Sequence, residues 1–273
     1  MSRRAIVSAL AVLVILGALG YSAAEPFRAK FLANRECCDI PLSRNVGVTL
    51  AELRGERVYA GEIGQDKWVL ETVFPEVTDG FFVDVGSGHG TIGSNTVMLE
   101  RRGWKGLCID PFPVHMEGRT CQMFKEVVFS EAGKEMTFRA AKGLAGLEDT
   151  LGKWNTTAMR APAVKFTTTT LESILLRGDA PPFVHFVSLD IEGAEYEALK
   201  GFPFDRVRVG AWAIEHNFEE PKRSDIKALL ESHGYVRSHT FKQDDFYVEG
   251  PPRPAPASAA RSGSPQDPAR TSR

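Results

Sequence analysis

Phe81-Phe82-Val83-Asp84-Val85-Gly86-Ser87-Gly88-His89-Gly90 is the stretch on which the fold turns. Its first half, FFVDV, has the apolar, β-branched make-up of a buried strand. Glycines at alternate positions follow at once, so the backbone turns sharply there and can approach a ligand closely. The spacing predicts a helix over residues 92–102 and then a second strand, GLCID at 106–110, which Pro111 and Pro113 stop.

Downstream, short apolar runs alternate with helix-period stretches. VVF at 127–129 and EMTFRA at 135–140 flank a Glu-Ala-Gly-Lys turn and read as a strand and a hairpin. Residues 144–162 read as loop with one short helix. A β-rich run at 164–168 precedes a helix over 171–177. FVHFVSLD at 183–190 is the longest buried strand, followed by a helix over 194–200 and a Gly201 stop; VRVGAWAIE at 207–215 is the next strand. Ile226, Leu229, Leu230 and His233 have the spacing of an amphipathic helix that Gly234 ends. Strands at 235–240 and 245–248 close the chain as a terminal hairpin. Alternating strands and helices imply an α/β fold with a doubly wound, mostly parallel sheet. Ligands of such sheets bind beyond the carboxyl ends of the strands, which directs attention to the residues after Val85, Ile109, Leu189 and Ile214.

The 273 residues are 43% hydrophobic and 25% charged, with a net charge of -2. These are globular proportions, and so near-neutral a balance gives no electrostatic footprint for nucleic acid. The ends differ from the body. Arg3 and Arg4 precede an almost wholly apolar run from Ala5 to Ala24. It suits either a secretory signal with a small-residue cleavage site at Ser22-x-Ala24 or an uncut type II anchor, and both carry the rest of the chain across a membrane. Residues 1–24 are therefore expected to be a signal anchor or signal peptide and 25–60 a stem. The globular domain is expected at 61–250, and 251–273, rich in Pro, Ala, Ser and Arg, as a disordered tail. The expected location is a single-pass membrane protein with a lumenal or extracellular domain, or a secreted one if the segment is cut. Of the four Cys, Cys108 reads as a buried, inert thiol. Cys121 could pair with Cys37 or Cys38 in an oxidising lumen.

Asp110 ends the second strand where its carboxylate can accept hydrogen bonds from a ribose diol. With the glycine loop it indicates a nucleoside-containing cofactor. Gly88-His89-Gly90-Thr91-Ile92-Gly93 also satisfies the dinucleotide pattern GxGxxG. A pyrophosphate is poorly served by Asp84 at the mouth of the loop, whereas a cofactor with a cationic amino-acid end, such as S-adenosylmethionine, is well served by it. A dehydrogenase would also need a hydride-transfer constellation, and no convincing one stands out.

In order along the chain stand GQDKW (64–68), FFVDVGSGHG, SNTVMLERRGWKGLCIDPFP (94–113), TLESIL (170–175), VSLDIEGAEYEALKG (187–201), AIEHN (213–217) and HGY (233–235). On these blocks the chain resembles the FkbM-type methyltransferases, a branch of the S-adenosylmethionine-dependent class I fold. The resemblance implies a seven-stranded Rossmann-like sheet and S-adenosylmethionine as cofactor. It implies that Gly86, Gly88 and Gly90 cradle the methionine end, Asp84 organises its ammonium group, Asp110 holds the ribose hydroxyls, and Ser94 and Asn95 reach its carboxylate. Gln65 and Asp66 would lie on a helix folding over the cofactor. The block at 94–113 is also similar to that of membrane-anchored, Star-like animal proteins in which methyl transfer is not assured.

Methyl transfer to a hydroxyl needs a positioned oxygen and a proton acceptor. The candidate bases after the two central strands are Asp190, Glu192, Glu195, Glu215 and His216: Asp190 and Glu192 follow the strand bordering the methyl group and are the expected substrate contacts, and His216 is the expected base at neutral pH. Glu195 and Glu197 read as first-turn helix acids, and His185 as a core histidine. Asp190, Glu215, His216 and Asn217 include hard oxygen ligands, but their spacing does not demand a metal, and none is expected. The expected function is a methyltransferase forming an O-methyl ether on a glycan or small-molecule acceptor. The alternative is a non-catalytic, Star-like membrane-anchored lumenal protein that uses the fold for partner binding. Oligomeric state is not legible.

Overall fold

The computed structural model describes residues 58–139, 146–150 and 160–251. The expected membrane segment, most of the stem, Cys37, Cys38 and all but the first residue of the tail lie outside them. Among the described residues no helix is long and apolar enough to cross a membrane.

The strands are Phe81–Val85 (β1), Lys105–Ile109 (β2), Gln122–Phe124 (β3), Val127–Val128 (β4), Glu135–Arg139 (β5), Gly146–Leu147 (β6), Ala163–Thr169 (β7), Phe183–Leu189 (β8), Arg208–Glu215 (β9), Tyr235–Phe241 (β10) and Asp244–Glu249 (β11). The helices are Gln65–Trp68 (α1), which runs into a π turn at Val69–Val73, then Val97–Glu100 (α2), Leu171–Arg177 (α3), Glu195–Lys200 (α4) and Lys222–Ser232 (α5). Seven strands form one sheet in the order β10-β11-β9-β8-β1-β2-β3. It is parallel except where β11 runs against β9 and β10. The chain moves outward from β1 to β3 and returns to β8 on the other side of β1, so the switch point of the sheet lies between β1 and β8, with the glycine loop at its rim.

Strand alternation sorts the residues into two layers. Val83, Leu107, Val187, Trp212, Ile214 and Tyr247 pack with the apolar sides of α3, α4 and α5. Phe82, Cys108, Phe186, Ala213 and Phe246 pack with Val69, Leu70, Leu99 and Trp104 on the opposite face. Asp84, Ser188, Glu215 and Asp244 share the parity of this second set. The sheet thus presents a row of polar side chains at its carboxyl ends, on the face that carries α1 and α2.

Several expectations need correction. The helix expected over 92–102 is a single turn, α2. Gly93 adopts a left-handed φ of 70°, and the Ser94 hydroxyl takes the amides of Thr96 and Val97 at 3.4 and 3.2 Å, so helical pairing begins only beyond Thr96. β4 and β5 do not form a hairpin with each other. Both pair with β7, in a second sheet ordered β4-β7-β5-β6. Of residues 144–162, only 146–150 and 160–162 are described; they include β6 and a 3-10 turn at Glu148–Thr150. Cys108 is not a free thiol. It is bonded to Cys121, 13 residues on.

The hairpin β10–β11 is locked to α5 through Asp245. Arg223 donates to both its oxygens at 2.9 and 2.8 Å, and Thr240 and Arg237 add further bonds. Burial alone would raise the Asp245 carboxyl, but the bonds from Arg223 and Thr240 outweigh it and hold the group down at about 2. A carboxyl depressed in the folded state stabilises fully above its unfolded pKa, and that contribution is lost as pH falls through about 4 towards 2. Stability from chemical denaturation should therefore drop by about 2 kcal/mol over that window for this group, and Asp245→Asn should flatten that part of the profile. A profile identical in the variant would contradict this.

Candidate active site

The three glycines of the loop are required for three different reasons. Gly86 has φ 85°, and a Cβ there would lie 1.6 Å from the Asp190 carbonyl oxygen, so this backbone rests directly on the segment after β8. Its amide and that of Ser87 donate to the Ile109 carbonyl at 2.8 and 3.1 Å. Gly90 is packed by the 111–116 segment, because a Cβ there would meet the His115 carbonyl at 2.2 Å. Val114 donates to Gly88 and accepts from Gly90, both at 2.9 Å. Gly88, at φ 42°, has room instead: a Cβ built on it would meet the Gly86 carbonyl oxygen at 3.8 Å and Asp110 Oδ2 at 4.0 Å, both ordinary contact distances.

Asp110 stands at the rim of this loop, half-buried. Its Oδ2 accepts the Gly88 amide at 2.9 Å and its Oδ1 that of Phe112 at 2.7 Å. Burial raises its pKa and these two bonds oppose the rise. Beside it lies a narrow, mostly apolar slot lined by Val85, Ile109, Pro111, Glu126, Val127, Phe138 and Ile191.

Asp84 is not at the mouth of the loop. It is 2% exposed and lies beneath the loop, taking the Thr96 hydroxyl at 2.5 Å. Arg119 donates to that hydroxyl at 2.8 Å, to Ser94 at 3.1 Å, to the Gly90 carbonyl at 3.0 Å and to Glu100 at 2.8 Å. Burial pushes the Asp84 carboxyl up to about 6 against the pull of Thr96 and Arg119. Ser94 is occupied by this network and by the start of α2. Asn95 donates to Ser188 at 2.9 Å, while its Oδ1 and the Ser87 hydroxyl are buried without a hydrogen-bond partner among the described residues. An acid on the rim of a glycine loop, with two orphaned polar atoms beside it, suits a ribose diol and a polar amino-acid end, so the residues fit S-adenosylmethionine.

On the other side of Gly86 is a cluster of carboxylates: Asp190 at the end of β8, Glu192 (φ 55°), Glu195 at the head of α4, Glu215 at the end of β9 and Asp244 at the start of β11. Asp190 and Glu215 follow the paired residues Leu189 and Ile214, and Glu215 is itself paired with Asp244. Burial, reinforced by the neighbouring carboxylates, pushes Asp190 well above its ordinary range, Glu192 up to about 8 and Glu215 up to about 9. Glu195 departs from the expectation of a solvated helix acid, being wholly buried. Its Oε1 takes the amides of Ile191 and Gly193 at 3.0 and 2.9 Å, and its Oε2 takes Lys222 at 2.9 Å. Gln65, on α1, donates to Asp244 at 2.9 Å, and Asp66 accepts the Ala60 amide at 2.7 Å. A bridge between Gly61 and Gly93 sets this segment beside the loop.

His216 does not join the cluster. It is 1% exposed and turned against Asp245, its Nε2 at 3.6 Å from that carboxylate, while its Nδ1 accepts the Phe218 amide at 2.9 Å. Burial pushes it down to about 4, and with Nδ1 engaged it has no free lone pair to offer as a base. His185 is a core histidine that accepts the Phe81 amide at 3.1 Å. Arg119, Lys222 and Asp244 escaped the sequence reading, since only the packing of a loop, a helix and a hairpin brings them here.

A family model described as the methyltransferase FkbM domain matches residues 84–237, more than half of the chain. No curated protein matches it. Among solved structures it is similar to a protein of Pyrococcus horikoshii assigned as an RNA methyltransferase (11% identity, covering 68% of this chain and 83% of that one, TM-score 0.36). It is also similar to the 1,6-didemethyltoxoflavin N1-methyltransferase of Burkholderia thailandensis, solved with 1,6-didemethyltoxoflavin and S-adenosylhomocysteine (10% identity, 78% and 94% covered, TM-score 0.36). Likeness at this level does not extend to substrate. With its glycine loop, rim acid and mostly parallel sheet, the chain belongs to the FkbM methyltransferase family, whose cofactor is S-adenosylmethionine.

Proposed function

We propose that the chain methylates a hydroxyl oxygen of a small-molecule or glycan acceptor. The observation that carries this is the shared wall at Gly86: the cofactor loop and the acid cluster touch through the Asp190 backbone, so an acceptor held by the cluster lies against the methyl-donor side. When bound, S-adenosylmethionine supplies a methyl group on a positively charged sulfur. The chain's own residues do the rest. Asp110 holds the ribose hydroxyls of the nucleoside, and the loop amides with Ser87 and Asn95 orient the amino-acid end. Glu192, on the loop between β8 and α4 and pushed up to about 8, accepts the hydroxyl proton in its ionised form, so transfer rises with pH towards that value. Asp84 acts from beneath as a positioning residue, through Thr96 and Arg119. The Cys108–Cys121 disulfide supports an oxidising compartment, and with the Arg3, Arg4 and apolar run at the N-terminus it favours a lumenal or extracellular domain held at a membrane.

Calorimetric titration tests the cofactor side. The full chain should bind S-adenosylmethionine and not NAD. Asp110→Ala should weaken that binding by about 10- to 100-fold, the loss of hydrogen bonds to a charged acceptor. Unchanged affinity would sink the assignment of Asp110. Transfer of labelled methyl to hydroxyl compounds, recovered as an alkali-stable ether, tests the acceptor; label recovered only on nitrogen or as an ester would overturn O-methylation.

A further inference from the structure

Buried oxygen ligands with too few positive partners invite a cation, and among the described residues one oxygen of the cluster meets no hydrogen-bond donor. Glu215 is 6% exposed and its Oε2 meets no hydrogen-bond donor among the described residues. Carboxylate oxygens of Asp190, Glu195 and Glu215 lie within 4.8 Å of one another. Hard divalent cations hold carboxylate oxygens at about 2.0–2.6 Å, so two ligands across one ion stand about 4–5 Å apart. The separation already suits an ion between them. Nearby positive charge comes from Lys222, which is spent on Glu195 and Glu219 at 2.9 and 3.2 Å. Asp190 and Glu215 face no cation of their own in any hydrogen bond or ion pair described.

We propose that Asp190 and Glu215 bind a divalent cation of the Mg, Mn or Ca class, with Glu195 at the edge of the site. The all-oxygen donor set excludes a preference for soft metals. His216, turned against Asp245, is not a ligand. Glu195 joins the coordination when the Lys222 ammonium swings to Glu219, so Lys222 competes with the ion. This deepens the methyltransferase reading and rests on it for its purpose. An ion beside the shared wall at Gly86 binds the acceptor oxygen directly, which selects acceptors offering a hydroxyl or paired oxygens and eases loss of the hydroxyl proton to Glu192.

The test uses the full chain, freed of metal by a chelator and titrated with Mn followed by electron paramagnetic resonance, then with Mg by calorimetry. One ion per chain is expected. Glu215→Gln should weaken Mn binding at least about tenfold, the scale of losses around metal sites. Lys222→Met should strengthen it several-fold, a gain that no unfolded variant could mimic. Absence of Mn binding at millimolar concentration, or affinities unmoved by both substitutions, overturns the proposal. S-adenosylmethionine is titrated into the same samples: if it binds while Mn does not, only the cation site falls, and if neither binds the methyltransferase reading falls with it.

Discussion

Gly86→Ala is expected to abolish measurable S-adenosylmethionine binding and to cost more than about 3 kcal/mol of stability, the range reserved for a few mechanisms such as strain at a special backbone angle. A φ of 85° is one that side-chain-bearing residues rarely adopt. The added carbon would stand 1.6 Å from the Asp190 carbonyl oxygen and 2.7 Å from its carbon, and backbone cannot step aside as a flexible side chain would. Both neighbours are pinned: the Asp190 amide donates to Val85 at 2.9 Å, and the Gly86 amide to Ile109 at 2.8 Å. Relief therefore means parting β1 from β8 at the switch point, where cofactor loop and acid cluster meet. Gly88→Ala is the control. Its Cβ would meet only the Gly86 carbonyl oxygen and Asp110 Oδ2, at ordinary contact distances of 3.8 and 4.0 Å, so the fold should lose only about 1 kcal/mol, while the new methyl stands beside the acid proposed to hold the cofactor. Chemical denaturation beside calorimetry separates the two. A Gly86→Ala protein of near-normal stability would show that the loop and the Asp190 segment are not in rigid contact.

The parts of the molecule legible in its sequence are those that depend on local pattern. Phe82 and Val83, or Ala211 and Trp212, alternate between two cores because a strand alternates, and alternation is visible in the string itself. Glycine spacing likewise announces a turn. What local pattern does not carry is parity across a register. Glu215 and His216 are neighbours with similar claims to catalysis. The pairing of Glu215 with Asp244 puts the first with the acids, and the next residue turns to Asp245. Glu195 reads like any first-turn acid until its carboxylate is seen reaching back to the amides of Ile191 and Gly193. Asp84 misled for a related reason: a residue before a glycine loop can face the ligand or the layer beneath, and Thr96 with Arg119 decides for the layer.

Reduction of the Cys108–Cys121 disulfide is expected to lower stability by about 3 kcal/mol, the entropy of closing a loop of this length. In a domain of this size that is a fall in Tm of roughly 6–12 °C. Its second effect is local. The bond closes the segment that carries Asp110, pairs Val114 with Gly88 and Gly90, and presents Arg119 to Glu100, Ser94 and Thr96. Cys108 is wholly buried in β2, opposite Asp84, whereas Cys121 begins the approach to β3, so the cross-link fixes the far end of the segment to the centre of the sheet. Without it the segment is held by Arg119, by the Thr120 and Cys121 amides on Glu100 and by two backbone bonds to the glycine loop, and fraying there loosens the wall of the cofactor cradle. Affinity for S-adenosylmethionine should therefore fall along with Tm on treatment with dithiothreitol. Cys121→Ser should reproduce both effects and make the protein insensitive to the reagent. Thiol titration of the denatured, unreduced chain gives the independent check, because a chain with four Cys and this bond has at most two free thiols. Four free thiols, or a Tm unmoved by reduction, would mean that hydrogen bonds hold this wall without help from a cross-link.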